Sequence, residues 1–357
     1  MQTIDDRISE IEDEIRKTPY HKGTEHHIGK LKARIAKLKE ENFQKISKGG
    51  GGGGGYAVAK TGDASVVFVG PPSVGKSTLL NRLTNARSKV GEYDFTTSNV
   101  VPGMMDYKGA KIQIFDIPGI IEGAAKGKGK GKEVLSVVRN TDLIVIMIDI
   151  KTIKKIGSIK KELYENGVRL DEKKPQVEII KQFSRGIKVN SSTKLSLSYN
   201  TIKQLALEFR LPNAEIIIKE DVSLDRLIDC FMTNRVYRPY IVIVNKTDLG
   251  KPKELKENDN IIFISAQENQ NLEKLREAIW EKLQLVRVYL KKDDEIDLQS
   301  PFIIKKDSSL KNLLENISIC DKETFTKAKI FGLGAKYQGQ EVSFNFVPQD
   351  ETIVQFV

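Results

Sequence analysis

Apolar positions recur along this chain with two different periods, and the change of period marks where one kind of structure gives way to another. Residues 4–17 place Ile4, Ile8, Ile11 and Ile15 three and four apart, which is one stripe of a helix. Thr18-Pro19 interrupts that stripe, and Ile28, Leu31, Ile35 and Leu38 start another, so residues 1–48 read as a helical hairpin. The second helix also carries Lys30, Lys32, Arg34, Lys37 and Lys39, read as an outer face that is either solvated or turned toward RNA. Seven consecutive glycines, Gly49 to Gly55, follow. No helix or strand interior tolerates such a run, so residues 49–60 are expected to be a linker.

From Ser65 the apolar residues come in short, nearly unbroken runs: Val66-Val67-Phe68-Val69, Ile112-Gln113-Ile114-Phe115, Leu143-Ile144-Val145-Ile146-Met147-Ile148, Ile241-Val242-Ile243-Val244 and Ile261-Ile262-Phe263-Ile264. Parallel strands covered by helices on both faces look like this. The reading is a doubly wound α/β domain built from residues 61–166 and 241–284. About 90 residues separate the third run from the fourth, where a helix and a return loop would suffice. Lys151 to Glu165 reads as that helix. Residues 167–240 read as an inserted α+β domain with strands Val177 to Phe183 and Ala214 to Ile218 and helices Tyr199 to Phe209 and Ser223 to Met232. Residues 285–357 read as a compact β-grasp module: strand Val286 to Leu290, helix Ser309 to Ile317, and strands Ala328 to Phe331 and Thr352 to Val357.

Composition narrows the class. A chain of 357 residues has room for more than one core. No apolar run approaches the roughly 20 residues that span a bilayer, and the acidic N-terminus lacks the apolar centre of a secretory signal. Cys230 and Cys320 stand far apart and are expected to be reduced thiols, which points to a cytoplasmic address and no membrane. The net charge of +10 favours a polyanionic partner. That excess is regional: residues 151–240 hold 18 Lys and Arg against 11 Asp and Glu.

Five strings carry the chemistry. Gly70-Pro71-Pro72-Ser73-Val74-Gly75-Lys76-Ser77 fits the phosphate-loop pattern, between a predicted strand and the predicted helix opening at Thr78. Backbone amides of such a loop, Ser73 and Val74 among them, turn inward around phosphates, aided by the helix N-terminus. Lys76 is expected to reach the β and γ phosphates and Ser77 to ligate Mg²⁺. Asp116-Ile117-Pro118-Gly119 follows the second strand, so Asp116 is expected at Mg²⁺ and the Gly119 amide at the γ-phosphate. Thr96-Thr97 precedes it, and Thr97 is chosen as the second metal hydroxyl. Asn245-Lys246-Thr247-Asp248 selects the base: Asp248 accepts from guanine N1 and N2, Lys246 lies along the ring and Asn245 ties the loops together. The Ser265-Ala266 backbone meets guanine O6. An adenine would leave Asp248 without its partners, a strong basis for discrimination. Ile120 stands where many GTPases place a water-orienting glutamine, and slow intrinsic hydrolysis is the consequence. Lys126-Gly127-Lys128-Gly129-Lys130-Gly131-Lys132 reads as a mobile basic ribbon, either solvated or touching RNA.

With these residues in place, the chain resembles the developmentally regulated GTP-binding proteins, a branch of the Obg-like translation-factor GTPases. Thr24-Glu25-His26-His27, Tyr56 to Ala64, Phe95-Thr96-Thr97, Ile120-Ile121-Glu122-Gly123-Ala124 and Asn234-Arg235-Val236-Tyr237 carry the likeness beyond the phosphate loop. The resemblance implies an N-terminal helix-turn-helix element, an insert like the second domain of ribosomal protein S5 and a C-terminal TGS domain. It also implies ribosome association, GTP and GDP as ligands with Mg²⁺, and an activating protein. Some relatives respond to potassium, although this chain has Ser73 where they carry asparagine. A monomer is expected. The leading function is a slow, ribosome-linked GTPase switch; the alternative is a nucleotide-stabilised RNA-binding adaptor in which hydrolysis is incidental.

Overall fold

A computed structural model describes residues 3–48, 61–84, 101–117, 130–250, 252, 255–292, 295–317 and 325–357. The chain divides into two compact units, Met1–Gly55 with Leu163–Tyr237, and Tyr56–Glu162 with Arg238–Val357.

The second unit is organised by a six-stranded sheet in the order Ile261–Phe263, Tyr240–Asn245, Leu143–Asp149, Ala64–Val69, Ala110–Asp116, Val101–Tyr107. The first five strands run parallel; the last is antiparallel to its neighbour. Every residue of Ala64–Val69 and Leu143–Asp149 is buried, as their two-sided apolar text requires. Each such Val, Ile or Leu contributes about 1.5–3 kcal/mol relative to an exposed one. This is the doubly wound α/β sheet that the apolar runs predict. Its edge strand, Val101–Tyr107, has no forerunner in the sequence reading because Pro102-Gly103 argues against a strand. An edge accommodates proline, since one side of the strand has no ladder to feed. The expected helix from Lys151 resolves into a short 3-10 turn, Ile153–Lys155, and the helix Ile156–Glu165.

Within the same unit, Leu285–Lys292, Thr352–Phe356, Ala328–Gly332 and Gln340–Val342 lie side by side, with Phe302–Lys305 on the free side of the first. The helix Leu310–Asn316 covers one face and buries Leu310 and Leu313 against Val286, Val288, Ile330 and Val354.

In the first unit a three-stranded sheet runs in the order Val177–Lys181, Ala214–Ile218, Ile187–Ser191. The helices Tyr199–Glu208 and Leu224–Phe231 share its core. The hairpin helices Ile4–Lys17 and Glu25–Lys48 belong to this unit too, and Ile28, Ala33 and Ala36 pack with Ile202, Leu205 and Leu227. Four cations of the second helix's basic stripe have carboxylates of the same unit within 4 Å. Lys32 donates to both oxygens of Asp225 at 2.9 Å, Lys37 lies 3.6 Å and Arg34 3.8 Å from Glu208, and Lys39 lies 3.9 Å from Glu12. Glu25 explains part of the Thr24-Glu25-His26-His27 text. It is 1% exposed, and one carboxylate oxygen accepts from the Ser198 amide and the Thr201 hydroxyl, both at 3.1 Å. Those groups open the helix Tyr199–Glu208, so a residue of the hairpin completes the cap of a helix more than 170 positions away.

The Asn234-Arg235 text has a similar explanation. Asp229 is buried beneath two guanidiniums: Arg169 grips it through Nε and Nη2 at 2.6 and 2.7 Å, and Arg235 Nε donates at 2.8 Å. Cys230, next in sequence, is half-buried, and desolvation pushes its thiol up to about 12. Cys320 and the glycine run lie outside the described residues. Of the basic ribbon, Lys130-Gly131-Lys132 open the helix Lys130–Asn140, whereas Lys126–Gly129 lie outside them. No helix among the described residues is long and apolar enough to cross a membrane.

Candidate functional site

The carboxyl ends of the parallel strands bring the motif residues together, as expected for a doubly wound sheet. Ala64–Val69 delivers the phosphate loop, Ala110–Asp116 ends on Asp116, Tyr240–Asn245 ends on Asn245, and Ile261–Phe263 leads into Ser265-Ala266.

Two glycines set the path of the phosphate loop. A Cβ on Gly70 would lie 2.0 Å from the Met147 carbonyl oxygen, so the loop passes too close to the neighbouring strand for any side chain. Gly75 has φ +93°, in the left-handed region, and a Cβ there would meet the Asn245 amide nitrogen at 2.5 Å. Ser73 also sits at φ 62°. The helix Lys76–Leu83 starts directly after this turn, with Thr78 exposed in its first turn.

Lys76 is 7% exposed, and its ammonium donates to the Gly70 and Pro71 carbonyls at 3.2 and 2.9 Å. Burial pushes its pKa below the ordinary lysine value, and the Asp116 carboxylate offsets part of that effect. Ser77 Oγ donates to Asp116 Oδ2 at 2.6 Å. Among the described residues the other oxygen, Oδ1, is buried with no hydrogen-bond partner. An orphaned carboxylate oxygen beside a serine hydroxyl is a donor set suited to a hard divalent cation.

Asn245 braces the site. Its amide nitrogen donates to the Val74 carbonyl at 2.8 Å, and its amide oxygen accepts from the Ala266 amide at 2.9 Å. One buried side chain thereby joins the phosphate loop to the loop expected to meet the base. Lys246, at φ 62°, donates to the Ser73 carbonyl at 2.7 Å. Ser265 is fully buried and pairs with Gln270 through backbone bonds of 3.3 and 3.0 Å, which fixes the turn that follows the strand. Asp248 is exposed in the short turn Thr247–Leu249, its side chain open to a base arriving from solvent. Thr96, Thr97, Gly119 and Ile120 lie outside the described residues.

One participant has no counterpart in the sequence reading. Asp149 ends Leu143–Asp149, the remaining parallel strand, and its Oδ2 accepts from Lys246 at 3.3 Å. Its Oδ1 takes the amides of Lys151 and Thr152 at 3.1 and 3.0 Å and the Thr152 hydroxyl at 2.8 Å. Burial works against the charge, but Thr152, Lys246 and the Lys151 amide together hold the carboxyl below its ordinary pKa. Asp149 thus anchors the ammonium of Lys246 from below. A fifth strand ending at the same sheet edge as the other four was the signal available for it.

Comparison with known proteins agrees with this geometry. A family model described as "50S ribosome-binding GTPase" matches residues 65–182, and one described as "C-terminal region of MMR_HSR1 domain" matches residues 184–285. An uncharacterized GTP-binding protein of Methanocaldococcus jannaschii is 45% identical over 99% of this chain and 93% of its own length. Ribosome-interacting GTPase 1 of Saccharomyces cerevisiae is 40% identical, with 99% of each chain covered. Developmentally-regulated GTP-binding protein 2 of Homo sapiens is 38% identical over 99% of this chain and 98% of its own.

Proposed function

The chain belongs to the developmentally regulated GTP-binding proteins and is a GTPase, and on that premise we propose that it works as a slow switch whose GTP and GDP forms differ in affinity for the ribosome. The Asn245 brace carries the reading. It makes the phosphate loop and the base loop one preorganised surface, so that binding of the base and of the phosphates is coupled.

In this reading the loop turns at Gly70 and its N–H groups from Ser73 to Ser77 cradle the phosphates, with Thr78 behind them in the first helical turn. Lys76 leaves the Gly70 and Pro71 carbonyls for the β and γ phosphates, whose negative charge restores its basicity. Ser77 and Asp116, joined by Thr97, would hold Mg²⁺, which would supply charge neutralisation at the phosphates. The Gly119 amide senses the γ-phosphate. Asp248 reads guanine N1 and N2, Lys246 covers the ring, held by Ser73 and Asp149, and the Ser265-Ala266 backbone meets O6. Ile120 has no group to orient the attacking water, so the missing element comes from outside, from the ribosome, an activating protein or potassium. The C-terminal module takes the role of a TGS domain.

Sedimentation with purified ribosomes in the presence of GDP or of a non-hydrolysable GTP analogue tests the switch. We expect the fraction bound to differ at least severalfold between the two. Equal binding in both states contradicts the proposal.

A further inference from the structure

A second site lies in the first unit, on the inserted sheet. Its edge strand Ile187–Ser191 and the helix Tyr199–Glu208 flank a cleft of about 550 Å³ lined by Gln182, Arg185, Lys188, Tyr199, Lys203 and Glu215, among others. Three cations face one carboxylate. Glu215 is engaged by Asn190 at 2.6 Å and lies 3.7 Å from Lys188. Among the described residues, Arg185 and Lys203 have no carboxylate within ion-pair distance, in contrast to Lys32, Lys37 and Lys39 on the hairpin.

The turn leading into the edge strand presents an aromatic ring. Phe183 is fully solvated, at 106% relative exposure, and Tyr199 across the cleft is 53% exposed. A lone exposed aromatic residue needs no explanation. Here, however, the backbone that holds it is pinned. The Gly186 amide donates to the Asn213 side chain at 2.8 Å, the Gln182 amide to the Asn213 carbonyl at 3.1 Å, and the Asn213 amide nitrogen to the Phe183 carbonyl at 3.4 Å. Arg185 adopts φ 86° to make the turn, a conformation unfavourable for a residue that carries a Cβ. An apolar ring is held out in water two residues before Arg185, which with Lys203 has no carboxylate within ion-pair distance among the described residues.

We propose that this cleft binds a single-stranded RNA segment. The cations would neutralise successive phosphates while Phe183 and Tyr199 offer planes on which unpaired bases stack. A duplex keeps its bases stacked internally and has nothing to offer those rings. The shared chemistry is that of any single-stranded polynucleotide. The choice of RNA rests on the ribosome reading above.

Fluorescence anisotropy of the full chain with labelled twelve-nucleotide probes tests the proposal, using oligo-uridine RNA, the matching thymidine DNA and an RNA duplex of equal length. We expect the single-stranded RNA to bind tightest. The double charge reversal Arg185→Glu with Lys203→Glu should weaken it at least tenfold and reduce the salt slope by about 1.4, two phosphate contacts' worth on a single strand. Phe183→Ala with Tyr199→Ala should weaken it about tenfold while leaving that slope unchanged. All four residues are exposed and lie outside the nucleotide site, so the circular dichroism and GTP hydrolysis of the variants should match the parent. Unchanged RNA affinity in folded variants, or duplex binding as tight as single-strand binding, overturns the cleft. DNA binding tenfold tighter than RNA overturns the assignment to RNA. Nucleotide-independent ribosome sedimentation with oligonucleotide binding intact would remove the switch reading and leave this cleft standing.

Discussion

At the scale of single residues, two side chains separate binding from selection. Asn245 holds two loops with buried hydrogen bonds to Val74 and Ala266, so Asn245→Ala leaves a carbonyl and an amide without partners. We expect a loss of about 2 kcal/mol in stability without nucleotide, read by chemical denaturation. GTP and ATP affinity should fall together. Asp248 braces nothing, being exposed in its turn, so Asp248→Asn should leave stability unchanged. It should reduce the preference for guanine over adenine by about tenfold or more in competition binding. Unaltered base preference would contradict the assignment. Asp149, absent from the sequence reading, acts through Lys246: Asp149→Asn should weaken guanine-nucleotide binding less than Lys246→Ala does, since it removes the anchor and keeps the cation.

At the scale of elements, the hairpin and the insert behave as one body because buried polar groups cross between them. Glu25 is the clearest case. Burial raises its pKa, but the Ser198 amide, Thr201 and Lys22 outweigh that effect and hold the carboxyl below its ordinary value. A depressed acid contributes stability that is complete above its unfolded pKa and is lost as pH falls through the folded one. Unfolding of the parent should therefore turn acid-sensitive below about pH 4.3, and Glu25→Gln should be less stable at pH 7 with a flatter acid limb in thermal melts. The Asp229 cluster works within the insert itself, tying the strand of Arg169 and the segment of Arg235 to the helix Leu224–Phe231. Asp229→Ala strands two guanidiniums, one of them deeply buried, and is expected to cost about 3–5 kcal/mol.

The same elements mark what the sequence could and could not disclose. Strands such as Leu143–Asp149, buried on both faces, announce themselves as unbroken apolar text, and the motifs at their ends follow. The edge strands Val101–Tyr107 and Ile187–Ser191 do not, because one carries Pro-Gly and the other alternates weakly beside a turn. Periodicity told which lysines share a face of the second helix. It could not tell what stands opposite, since Asp225 and Glu208 lie more than 170 residues further along the chain. The residues expected at phosphate, base and metal could be named from the sequence because each depends on a residue type at fixed spacing. Asp149 was not, because its role depends on where a strand ends in space.

At the scale of the whole molecule, a net charge of +10 reads differently once its partners are known. Several cations of the hairpin have carboxylates nearby, whereas among the described residues Arg185 and Lys203 of the insert's cleft have none within ion-pair distance. On the reading proposed above, the sequence carries every phosphate and base motif but has Ile120, a residue with no group for orienting water, after Gly119. Single-turnover hydrolysis of GTP, with and without ribosomes and in potassium or sodium, probes that imbalance most directly. A slow rate for the protein alone, raised at least tenfold by ribosomes or potassium, is the expected result. Fast hydrolysis by the isolated chain in sodium, or a rate that neither ribosomes nor potassium alters, would contradict a site complete for binding and completed for catalysis from outside.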